Sequence, residues 1–146
     1  VALYLEDLAA GLTFSTRTFT VTAERIRAFA AEYDPQPFHL DETAAQDSVF
    51  GALVASGWLT SAVTMRLLVD SEMRIAGGLI GLGGEIAWPK PVRPGDTLKA
   101  EVEVLDVRTS VKKPQNGVAT ARVRTLDQHG ESVQIFTVKM LVPRRR

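Results

Sequence analysis

The stretch from Trp58 to Val69 constrains the fold more than any other part of the chain. Trp58, Leu59, Ala62, Val63, Met65, Leu67, Leu68 and Val69 run through it, and Arg66 is its lone charge. A helix that is apolar nearly all round is stable only when protein encloses it on every side. It is also well short of the roughly 20 residues that a membrane-spanning helix needs. The rest of the chain must therefore supply a wrapping. After Ala76 the sequence changes period. Over 97–107, Leu98, Ala100, Val102 and Val104 alternate with Lys99, Glu101 and Glu103, the pattern of a half-exposed antiparallel strand. Over 118–126, Ala119, Ala121 and Val123 alternate with Arg122 and Arg124, and 133–142 is apolar on both faces, as a central strand would be. Asp127-Gln128-His129-Gly130 reads as the hairpin turn between the last two strands. The predicted architecture is α+β: an antiparallel β-sheet wrapped around a long central α-helix, with one sheet face polar. The pattern leaves the strand order open.

The first third adds smaller elements. Residues 13–21 are rich in Thr and Phe and alternate loosely, which favours a strand. Thr22 has the form of a helix N-cap, and Ile26, Phe29, Ala30 and Tyr33 then fall on one helical face. That helix ends at Asp34-Pro35, and a short second helix capped by Asp41 follows. The glycine run 77–84 lacks the last glycine of a dinucleotide fingerprint and no helix follows it. Those glycines are expected to let a strand pass close to the central helix or to a ligand. No linker or repeat interrupts the 146 residues, so residues 1–146 read as one domain. Seventeen basic residues balance 17 acidic ones, so no overall charge recruits nucleic acid or an anionic membrane. The absence of cysteine removes disulfides, thiolate nucleophiles and cysteine-type zinc sites. The chain opens at Val1, shows no signal-peptide pattern, and is expected to be cytoplasmic.

Function is expected in Asp34-Pro35-Gln36-Pro37-Phe38-His39-Leu40-Asp41. This stretch gathers two carboxylates and one of the chain's two histidines into a connector stiffened by two prolines. Loops held on a rigid scaffold often carry chemistry. The competing reading is a proline-rich turn whose Asp caps a helix and whose His is a surface residue. Asp34 falls at the carboxyl end of a helix, which with partial burial predicts a raised pKa. Asp34, His39 and Asp41 are a thin metal-ligand set, and none is expected to bind metal. No Gly-x-Ser-x-Gly elbow is present. His129 sits in a turn, Lys90, Arg93, Lys112 and Lys113 read as exposed cations on turns, and Arg144-Arg145-Arg146 reads as a solvated tail.

Three segments lie in the order of a known family: 33–41, then Phe50-Gly51-Ala52-Leu53-Val54-Ala55-Ser56-Gly57, then Trp88-Pro89-Lys90-Pro91-Val92-Arg93-Pro94-Gly95-Asp96-Thr97-Leu98. Together they resemble the MaoC-like dehydratases, which include the (R)-specific enoyl-CoA hydratases, from about Thr13 to Val142. The resemblance implies a hotdog fold, a homodimer or higher homo-oligomer, an acyl-CoA thioester substrate and no cofactor. It implies that Asp34 and His39 share a catalytic water and that the Gly57 N–H polarises the thioester carbonyl. Gln36, Phe38, Ser56 and Trp58 are the accompanying candidates for substrate binding. Gln36 stands where the family usually has Asn, and Ser56 where it has His. Met65 matches the position of an assisting serine, with Thr64 beside it.

Hydration of an enoyl thioester needs a base for water, an acid for the α-carbon and a donor for the charge on the thioester oxygen. An imidazole, a carboxylate and a helix-start N–H can supply these. Which of Asp34 and His39 is the base stays open. A polyproline-like path would separate the two by roughly 15 Å, so a shared water requires the chain to curl after Pro37. The rival functions are a hotdog thioesterase and a non-catalytic acyl-CoA-binding module.

Overall fold

In the computed structural model, which describes residues 1–146, a short 3₁₀ turn at Leu5–Asp7 precedes β1 (Thr13–Thr20). Then come α1 (Ala23–Tyr33), α2 (Pro37–Leu40), α3 (Glu42–Gln46) and α4 (Gly57–Val69). Four strands close the chain: β2 (Ile80–Ala87), β3 (Thr97–Thr109), β4 (Asn116–Leu126) and β5 (Ser132–Pro143). Every strand pair is antiparallel, in the order β1-β3-β4-β5-β2. The apolar β5 is thus an interior strand, as its two-faced pattern predicts.

The inward alternation of the strands meets α4. Leu98, Ala100, Val102 and Val104 of β3 and Ala119, Ala121 and Val123 of β4 are buried. Their outward neighbours Glu103, Arg122 and Arg124 are exposed. Leu59, Val63 and Leu67 of α4 pack with Ile26, Leu53, Leu98 and Val133. Leu68 packs instead with Met73, Ala121, Val138 and Met140. At about 25 cal/mol per Å² of apolar surface, this burial is what fixes the helix on the sheet.

The helix is not enclosed all round. Trp58, Met65 and Val69 are 60%, 49% and 58% exposed, and Ala62 lies with them on one stripe. The sheet curls over only part of the cylinder, so an apolar stripe faces outward within one chain. One glycine of β2 also plays a part different from the one expected. A Cβ at Gly84 would run into the Thr137 carbonyl of β5, so this glycine permits close approach to a neighbouring strand rather than to α4. Two of the three C-terminal arginines are docked, not free: Arg144 pairs with Glu6 and Arg145 with Asp7, and the Arg145 guanidinium lies over Tyr4. Lys90 is likewise held, by Asp127 at 2.6 Å and Glu131 at 2.8 Å.

Candidate functional site

Thr22 caps α1 by accepting from the Arg25 N–H, and α1 ends where the Asp34 N–H donates to the Ala30 carbonyl. Pro35 follows, and the extended backbone of Gln36 leads into Pro37, the first residue of α2. A proline loses nothing at that position, because the first N–H groups of a helix have no intrahelical partner. The single turn of α2 folds the connector back on itself. His39 Nε2 comes to 3.3 Å from Asp34 Oδ2, so the curl required for a shared water is present. Asp41 turns its carboxylate to the Thr43 N–H and caps α3.

His39 is 6% exposed, and its Nδ1 lies 2.7 Å from the Val54 carbonyl oxygen. A carbonyl only accepts, so Nδ1 carries the proton and Nε2 is left to face Asp34. The Val54 N–H in turn donates to the Phe38 carbonyl, and this pair of bonds fastens α2 to the strand-like segment before α4. Phe38 packs edge-on to His39 and to Phe50.

Asp34 does not have the raised pKa expected at a helix end. Its carboxyl is held below the usual carboxylate range, first by the Gln36 amide, which donates to Oδ1 at 2.6 Å. Burial opposes this, while the Ser56 hydroxyl and, whenever its ring is protonated, the His39 imidazolium add to it. The helix-end argument fails because a direct donor at 2.6 Å outweighs a partial dipole charge.

Ser56 is buried and caps α4, accepting from the Trp58 N–H. Gly57 opens the helix, and its N–H makes no hydrogen bond within the protein. The Trp88 indole lies against its Cα: a Cβ built there would sit 2.6 Å from the ring. Glycine is therefore required at this position by packing. Trp88 stands edge-on to Trp58, and its indole N–H donates to Gln134 Oε1.

Asp34, Phe38, His39, Ser56, Gly57 and Trp58 line one cavity of about 270 Å³, with Trp88 and Lys90 on its wall. Gln36 does not line it and acts only on Asp34. Trp58 also borders a second, apolar chamber of about 430 Å³ between α4, β4, β5 and β2. Met65 and Thr64 line that chamber. The Thr64 hydroxyl donates to the Thr60 carbonyl, so the proton of its contact with Thr125 comes from Thr125.

Sequence reasoning missed the Val54 carbonyl, Gln134 and Ser61, and it used Trp88 only as part of a motif. A backbone carbonyl leaves no mark in a sequence. Gln134 is a polar residue at an inward position of an apolar strand, and that was a readable signal.

The MaoC-like domain model matches residues 8–126. This chain belongs to the MaoC-like family. Its fold is the hotdog fold of that family: a crystal structure of a MaoC-like dehydratase from Rhodospirillum rubrum superposes with a TM-score of 0.96 at 52% identity over 99% of each chain. The Bacillus subtilis protein YdeM is 33% identical over 94% of this chain and 96% of its own. An (R)-specific enoyl-CoA hydratase from Aeromonas caviae is 34% identical over 74% of this chain and 76% of its own. Membership in this family of hydratases and dehydratases supports hydro-lyase chemistry in general terms. No helix of the chain is long and apolar enough to cross a membrane.

Proposed function

We propose that the protein is a hydratase that interconverts a trans-2-enoyl-CoA and an (R)-3-hydroxyacyl-CoA. The observation that carries this reading is the His39–Asp34 pair, 3.3 Å apart, in one cavity with the unpaired Gly57 N–H. Asp34 is a carboxylate at neutral pH, because its pKa is lowered. It therefore orients water and stabilises an imidazolium rather than exchanging protons itself. His39 Nε2 is the base, since Nδ1 keeps its proton on Val54. Nε2 takes a proton from water as the oxygen bonds to C3. The electron pair of the double bond moves toward the thioester oxygen, where the Gly57 N–H receives the charge. The same proton then passes from Nε2 to C2, so one water is added and nothing is left over. A positioned donor of the Gly57 kind is worth roughly 100–1000-fold in rate.

A second copy of the chain is the proposed cover for the outward stripe of α4. The edge strand β2 beside that stripe carries exposed Ile80 and Leu82 and has neither lysine nor proline to discourage pairing. The opposite edge, β1, carries Thr, Ser and Arg17. Light scattering tests the dimer, and a monomeric mass would refute it. Loss of enoyl-thioester absorbance, with chiral analysis of the product, tests the reaction. An (R)-3-hydroxyacyl product supports it, and free CoA would assign the protein to the thioesterases. Binding without turnover would leave a non-catalytic module.

A further inference from the structure

Gln134 is 1% exposed, yet it lines the mainly apolar chamber, whose other polar side chains are Ser61 and Thr64. Its carbonyl oxygen is taken twice, by the Ser61 hydroxyl at 2.7 Å and the Trp88 indole N–H at 2.9 Å. An indole N–H can only donate, so the amide orientation is determined: oxygen toward Trp88, amino group elsewhere. That amino group has no hydrogen-bond partner in the protein. No polar side-chain atom is both sealed off and unpartnered, so the amino group is within reach of whatever fills the chamber. A purely hydrocarbon chain would leave two buried N–H donors unsatisfied, which costs free energy.

We propose that the chamber receives an acyl chain bearing a neutral oxygen, a hydroxyl or keto group, and that Gln134 Nε2 donates to it. The inference rests on the hydratase reading and narrows its substrate class. A chain ending in carboxylate fits poorly, because no lysine, arginine or histidine lines the chamber to pair with it. The clamp from Ser61 and Trp88 fixes the donor before the substrate arrives, so little ordering is needed on binding.

The test uses saturated medium-chain acyl-CoAs carrying one hydroxyl or keto group at successive positions beyond C4, so that none is a 3-hydroxyacyl substrate and all bind without reacting. Dissociation constants are measured by calorimetry against the unsubstituted chain. The expected result is one position that binds roughly three- to tenfold tighter than the plain chain. Gln134→Glu keeps an oxygen for Ser61 and Trp88 but replaces the amino donor, and it should abolish that preference. Gln134→Met, which has no donor at that position, should do the same. Equal affinity for all chains in the native protein overturns the proposal without any variant: water alone then serves the amino group. A preference that survives Gln134→Glu also overturns it. Failure to bind any acyl-CoA would instead refute the underlying hydratase reading.

Discussion

Beside His39, the side chains that line the hollow are fastened by the chain itself. Gln36 holds Asp34, the Val54 carbonyl holds His39, and Ser56 caps α4. Behind Trp58 and Trp88 the chamber is lined mainly by Leu, Val, Met and Phe, which offer shape but no direction. Each hollow nevertheless presents one donor without a partner: the Gly57 backbone N–H in the first and the Gln134 amino group in the second. The difference is one of permanence. A backbone donor survives any side-chain substitution, which suits a step every substrate must undergo. A side-chain donor can be exchanged by a single mutation, which suits selectivity.

The sharpest way to break this comparison is to damage one hollow and watch the other. His39→Ala should lower turnover by about 100- to 10,000-fold, with acyl-CoA affinity little changed by calorimetry. Equal loss of binding and turnover would mean that the pair only shapes the pocket. Ala121→Val adds two methyl groups to the chamber wall. It should reduce kcat/KM for long enoyl chains by roughly tenfold, and for the shortest chains by much less. A uniform loss would show that the acyl chain lies elsewhere.

Gly57→Ala places a methyl group on the Trp88 ring and should destabilise the protein by about 1–3 kcal/mol. In a double-mutant cycle, Trp88→Leu should absorb part of that cost, and simple additivity would deny the contact. The smallest effect is in acid. Asp34 has a depressed pKa in the folded protein. Its contribution to stability is complete above the unfolded aspartate value of about 3.9. It fades as pH falls through the lower folded value. The stability gap between native protein and Asp34→Asn should therefore shrink below about pH 4, as read from urea unfolding. Gln36→Ala should make that shrinkage smaller and raise the pH at which it is complete, since Gln36 is the main cause of the lowered folded value and the unfolded value is unchanged.

Much of the fold was legible because it rests on period. The alternation of Leu98, Ala100, Val102 and Val104 predicts an inward face, and these residues are buried. The 3.6-residue spacing of Ile26 and Ala30 and the Thr22 cap define α1 nearly to its ends. The site was legible in its residue types and less so in its electrostatics. A helix end is a local feature and predicts a raised pKa for Asp34, whereas the position of the Gln36 amide depends on rotamers and a turn. The exposure of Trp58, Met65 and Val69 was misread for a related reason. Hydrophobicity states that a face needs cover, and does not state whether the same chain supplies it.

The sequence by itself determined the alternation of elements, the caps and breaks at Thr22, Asp34 and Gly57, and the residue types available for chemistry. These depend on neighbours within a few positions, where backbone geometry is nearly fixed by residue type. Only the tertiary structure decided that Nε2 of His39 faces Asp34, that Trp88 lies on Gly57, and that Gln134 keeps its amino group free. Those contacts join residues up to 73 positions apart, as Ser61 and Gln134 show. Long-range contacts of that kind follow from sheet register and side-chain packing, which no local pattern encodes.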